Sequence, residues 1–100
     1  MLKRKIDRVF NVTIDCYNRA LKDYGINDVE LAPCIVDGGR YYGLFEKLKP
    51  GKTRRKRLDY CIDISSLAWR IAEKYDIPYK PFFEKADSYW VEYVNGEISK

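Results

Sequence analysis

The chain has 100 residues, 46% hydrophobic and 34% charged, with a formal net charge of +4. That length predicts one domain over residues 1–100, and that balance fits a globular chain and excludes a disordered one. No apolar run is long enough for a transmembrane helix, and no continuous apolar segment follows the basic residues of MLKRKIDRVF; no secretory signal is expected, and the expected location is intracellular.

Residues 3–24 predict a first helix. Ile6, Val9, Phe10, Ile14, Tyr17, Leu21 and Tyr24 recur at steps of three and four, the spacing of one helix face. Val12 and Thr13 are β-branched and lower helix propensity, but the stripe outweighs them. Gly25 follows directly and suits the left-handed position that ends a helix. Lys3, Arg4, Lys5 and Arg8 form a basic cluster on this segment.

Three strands come next. Val29, Leu31 and Ile35 alternate up to Asp37-Gly38-Gly39, a hairpin turn signal, so the first strand pairs antiparallel with a second over 41–48. Pro33 has no N–H to donate, which places the first strand at an edge. The third strand is read over 58–64. Leu58, Tyr60, Ile62 and Ile64 fall on one face, opposite Asp59, Cys61 and Asp63.

Between the second and third strands runs KLKPGKTRRKR, residues 47–57, with Pro50-Gly51 as its turn. Lys47, Lys49, Lys52, Arg54, Arg55, Lys56 and Arg57 give it +7 with no acidic residue; the whole chain is +4, so the remainder carries −3. Such a loop is either a solvated stretch that keeps the hairpin soluble, a contact for phosphates, or a contact for an acidic protein or membrane surface.

Ser65 and Ser66 are read as the cap of a second helix, with Leu67, Ala68, Ile71, Ala72 and Tyr75 on its apolar face and Ile77-Pro78 as its end. PYKPFF, residues 78–83, predicts an irregular connection folded over the core. Residues 89–94 predict a fourth strand, followed by Asn95-Gly96 as a hairpin turn. An exposed edge there suits a homodimer. The predicted architecture is α+β: a small antiparallel β-meander packed by a long N-terminal helix and a second, shorter helix.

The chain has no His, hence no imidazole base and no Ser-His or Cys-His pair. There is no Walker loop, GxGxxG or GxSxG. The spacing of Cys16, Cys34 and Cys61 matches no zinc pattern. A Cys34–Cys61 disulfide requires their strands to be adjacent and in register; otherwise the thiols pack as small hydrophobes. Asp37, Glu46, Asp59 and Asp63 are candidate carboxylates for a metal-dependent nuclease, although Glu46 is followed by Lys47-Leu48 and no Glu-x-Lys pattern is present. No catalytic residue, metal ligand or cofactor is assigned.

Asn18-Arg19-Ala20-Leu21 on the first helix, then a short meander, then Ile62-Asp63-Ile64-Ser65 leading into a helix, is a layout similar to that of SprT-like zinc peptidases. That family carries HExxH on the helix after the strand. Here Leu67-Ala68-Trp69-Arg70-Ile71-Ala72-Glu73 has neither zinc ligand, so the resemblance implies no peptidase chemistry. With no His, no Gln, nine Tyr and nineteen Lys plus Arg, the composition resembles small orphan proteins encoded by filamentous or rod-shaped viruses of hyperthermophilic archaea. That resemblance implies a rigid fold, a virus with a DNA genome and a place in the host cytoplasm.

The expected function is a non-enzymatic, weakly sequence-specific nucleic-acid-binding protein. It would contact phosphates of DNA or RNA through Lys49, Lys52, Arg54, Arg55, Lys56 and Arg57, with Tyr41 and Tyr42 nearby. The alternative is a structural or interaction protein using the aromatic segment 79–93, and the nuclease is third.

Overall fold

Most of the apolar stripe of the first segment folds as its spacing predicts: Phe10, Ile14, Tyr17, Leu21 and Tyr24 face the core, whereas Val9 is 50% exposed and the Ile6 side chain lies outside the described residues. In the computed structural model, which describes residues 2–98 and the side chains of residues 8–96, helix α1 spans Leu2–Asp23. The side chains of Lys3, Arg4 and Lys5 lie outside the described residues. Strands β1 (Val29–Val36), β2 (Gly39–Glu46) and β3 (Arg57–Cys61) follow, then helices α2 (Ile64–Lys74) and α3 (Tyr79–Ile98). The strands form an antiparallel sheet in the order β1-β2-β3, so the fold is α+β with a β-meander packed by helices.

Helices α1 and α2 stop in the same way. After α1, Gly25 takes φ +75° and donates its N–H to Lys22, while the Ile26 N–H reaches back to Leu21. After α2, Asp76 takes φ +53° and donates to Glu73, while the Ile77 N–H reaches Ala72. Both pairs of bonds satisfy carbonyls that a helix end leaves open, and both turn an isoleucine back toward the core. The start of α2 differs from the serine cap expected for it. Asp63 is the capping residue, accepting from the Ser65 N–H at 3.3 Å and from the Ser66 hydroxyl at 3.1 Å.

Segment 79–98 departs most from expectation. It is neither an irregular connection nor a strand and turn but the 20-residue helix α3. Pro81 sits in the first turn, where a missing N–H breaks no bond. Phe82 and Ala86 are fully buried, with Tyr89, Trp90, Tyr93 and Val94 continuing their face half-buried. The aromatic and β-branched residues of 89–94 suit a strand in isolation, but packing along α1 overrides that preference. The seam is antiparallel: Arg8 Nε donates to the Tyr93 hydroxyl at 2.8 Å, Arg19 lies 4.0 Å over the Tyr89 ring, and the Tyr89 hydroxyl donates to Asp23. With 89–94 helical, the sheet edge expected there as a dimer contact does not exist.

The hairpin forms at the predicted turn, with Asp37 and Gly38 both at positive φ and Val36 paired with Gly39. Pro33 lies on edge strand β1, as its missing donor requires. The third strand is shorter than expected, and its predicted face comes apart. Leu44 pairs with Asp59 but Phe45 pairs with Arg57, so Leu58 is an extra residue at a bulge. Leu58, Cys61 and Ile64 pack against the core, whereas Tyr60 lies on the opposite face and Ile62 is 72% exposed.

Helices α1 and α2 pack on one face of the sheet, and α3 packs against these two helices on the same side. The core joins Val29, Leu31 and Leu44 to Tyr17, Ala20 and Leu21 of α1, Leu67, Ala68 and Ile71 of α2, and Phe82 and Ala86 of α3. Phe82 sits at its centre with the Tyr17 and Tyr24 rings edge-on at 5.7 and 5.9 Å. Burial raises the Tyr17 hydroxyl well above its ordinary pKa.

Candidate nucleic-acid interface

The basic loop leaves β2 and re-enters at β3 through a defined neck. The Glu46 N–H donates to the Lys56 carbonyl at 2.9 Å, and the Lys47 N–H donates to the Asp28 carbonyl at 3.0 Å, tying the loop base to the turn after α1. At its tip the Lys52 N–H returns to the Lys49 carbonyl at 3.0 Å across Pro50 and Gly51, with Gly51 at φ +82°. Proline then positively rotated glycine is the order a type II turn requires. All residues from 48 to 57 are exposed.

Between neck and tip lies a concavity of about 250 Å³, lined by Glu46, Lys47, Lys49, Lys52, Arg54, Arg55 and Lys56. The fold therefore gathers five of the six expected phosphate contacts, Lys49, Lys52, Arg54, Arg55 and Lys56, around one space. Among the described residues, Arg55 is the loop cation with an ion pair, to Glu30 at 2.9 Å. Lys49, Lys52, Arg54 and Lys56 have no carboxylate within 4.0 Å among the described residues. Close like charges in water repel, so this arrangement favours an anion that lowers the field.

Arg57, the sixth expected contact, does not line that space. It lies on the sheet face away from the helices, donating to Cys34 Sγ at 3.3 Å and standing 4.8 Å over the Tyr60 ring. Arg55 reaches the same face, 4.8 Å over Phe45. Strand alternation puts Tyr41, Gly43 and Phe45 of β2 on this face with Ala32 and Cys34 of β1. Tyr41 meets Tyr60 edge-on at 5.3 Å. Phe45 folds over Gly43, where a Cβ would come within 2.6 Å of its ring and 2.9 Å of the Cys34 Cβ. Under this roof Ala32 and Cys34 are buried.

Tyr42, expected near the loop contacts, faces the other way. Its ring stacks on Phe10 at 4.2 Å in the core, and burial raises its pKa. Phe45 and Tyr60 were not anticipated as site residues. The signal for Phe45 was present, since Tyr41, Gly43 and Phe45 occupy one parity of β2 and Tyr42 and Leu44 the other. Tyr60 was hidden by the bulge.

The strands of Cys34 and Cys61 are separated by β2, and the two residues point to opposite faces, so no bridge joins them; all three cysteines are free. Burial raises the pKa of Cys16, with the Asp15 charge adding to it. The carboxylates considered for a nuclease do not converge. Asp59 accepts from Arg70 Nη1 at 2.9 Å and from the Tyr60 N–H at 2.8 Å, and Asp63 caps α2. Among the described residues no three Cys, Asp or Glu side chains form a metal-ligating group, and no helix is long and apolar enough to cross a membrane. No protein-family model matches the chain, and neither a curated protein nor a solved structure matches it.

Proposed function

We propose that the protein is a non-enzymatic nucleic-acid-binding protein of weak sequence specificity, in which the loop between β2 and β3 holds phosphates. One observation carries the reading: Lys49, Lys52, Arg54 and Lys56 surround one open concavity without an ion pair among the described residues. Cations so placed displace counterions from a polyanion, and the binding reads backbone charge rather than bases.

The test is a titration of a labelled mixed-sequence DNA by fluorescence anisotropy at several salt concentrations. Contact with about five phosphates gives a slope of log affinity on log salt near −4 to −5. The variant with Lys49, Lys52, Arg54 and Lys56 changed to Ala keeps the fold, because those side chains make no described contact that holds it, and loses most of that slope. Absence of binding at low salt overturns the proposal.

A second reading, an interaction protein, has its own observation. Trp69 is 56% exposed and meets Tyr79 edge-on at 5.2 Å, and Tyr79 meets Phe83, so an aromatic corner lies open where α2 passes to α3. That reading predicts no salt-dependent DNA binding.

A further inference from the structure

Resting on the phosphate-binding reading above, we infer that the polymer is single-stranded and that its bases stack on the open face of the sheet, across Tyr41, Tyr60 and Phe45 with Arg55 and Arg57. The helices cover only the opposite face, where Leu31 and Leu44 enter the core. The open face is not an ordinary solvated one. Its centre carries three rings and two guanidinium groups lying on buried Ala32 and Cys34.

The geometry suits bases. Tyr41 and Phe45 are four residues apart on one strand, about 13 Å. Tyr60 sits between them, opposite Gly43 on the neighbouring strand. Tyr60 is 38% exposed, and Tyr41 and Phe45 are half-buried. Such a strip accommodates two or three unstacked bases, which pack on aromatic rings or on arginine planes with little regard to base identity.

Continuity with the loop decides the occupant. Arg55 lines the cationic concavity and also covers Phe45, so one residue joins the phosphate site to the stacking strip. A ligand filling both must carry repeated negative charge beside planar, weakly polar groups. A polynucleotide does so, and only a single strand offers free base faces; in a duplex those faces are already stacked.

The test compares a labelled oligothymidine 15-mer, a mixed-sequence duplex and inorganic polyphosphate, using the wild type, Tyr41→Ala, Tyr60→Ala and Tyr60→Phe, with circular dichroism checking the fold. The expected result is tighter binding of the single strand than of the duplex. Each alanine variant weakens single-strand binding roughly 5- to 150-fold. Tyr60→Phe retains it, and polyphosphate binding and the salt slope stay unchanged. Equal affinity for single strand and duplex, or alanine variants that bind the single strand like wild type, overturns the stacking inference while the loop reading stands. Failure to bind any of the three polyanions at low salt overturns both.

Discussion

Asn18 of α1 holds the main chain of Leu31 in β1 at two points: its Nδ2 donates to the Leu31 carbonyl at 3.0 Å, and its Oδ1 accepts the Leu31 N–H at 2.7 Å. A side-chain amide has the same donor and acceptor as a peptide group, so Asn18 acts as a one-residue neighbouring strand. Two residues along, Pro33 offers no N–H at all. At the other edge, Asp59 accepts the Tyr60 N–H, and Arg70 reaches the Tyr60 carbonyl at 3.4 Å. Both edges of a three-stranded sheet are thus occupied by the chain's own side chains, a common defence against strand addition.

Asn18→Leu removes both bonds and leaves a part-buried peptide unit unsatisfied. Urea unfolding is expected to show a loss of about 1–3 kcal/mol, and sedimentation should detect self-association absent from the wild type.

Phe82→Ala tests the third helix directly. Phe82 is fully buried between α1 and α2, and truncating such a ring costs about 3–5 kcal/mol. Chemical unfolding measures it. A cost below about 1 kcal/mol would mean that 79–98 does not pack as the helix described.

Gly43→Ala puts a methyl group within 2.6 Å of the Phe45 ring and 2.9 Å of the Cys34 Cβ. The Cys34 atom belongs to a buried residue, so the strain is not relieved by the ring alone. The expected cost is about 1–3 kcal/mol, read as a lowered denaturant midpoint, together with weakened single-strand binding as Phe45 is displaced.

Asp76→Gly should stabilise the protein. Asp76 holds φ +53° where α1 uses Gly25 at +75° for the same turn. Relief of the side-chain penalty in this region is expected to add up to about 1 kcal/mol, visible as a raised thermal midpoint.

Stability is expected to fall above about pH 10. Burial raises the pKa of Tyr17, and also of Tyr42 and Tyr75. Unfolded tyrosines ionise near 10; above that pH the unfolded chain releases protons that the folded one keeps, and the equilibrium moves toward unfolding. Tyr17 alone sets a slope of up to about 1.4 kcal/mol per pH unit. Its contribution is complete below pH 10 and is lost as the pH rises through its folded value. Urea midpoints between pH 8 and pH 12 follow this, and Tyr17→Phe flattens the profile.

What was legible in the chain was what local spacing determines. The stripe of α1, the Asp37-Gly38 turn, the apolar face of α2 and the edge position of Pro33 each depend on neighbours a few residues away. Helix α3 was not legible because Tyr89, Trp90, Val91 and Tyr93 favour a strand in isolation, and their helical state depends on Arg8, Arg19 and Asp23, more than sixty residues earlier. The charge of the loop was plain, but the directions of its side chains were not. Arg55 and Arg57 fold down because Phe45 and Tyr60 face them, and for Tyr60 that follows from one extra residue, Leu58, in the ladder.

Seven positive charges stand on one projecting loop, while the rest of the chain, which has its own basic cluster at Lys3, Arg4, Lys5 and Arg8, sums to −3. In the field of an anionic partner the loop would feel the strongest pull, so such an encounter would begin loop first, and a more dilute buffer would quicken it.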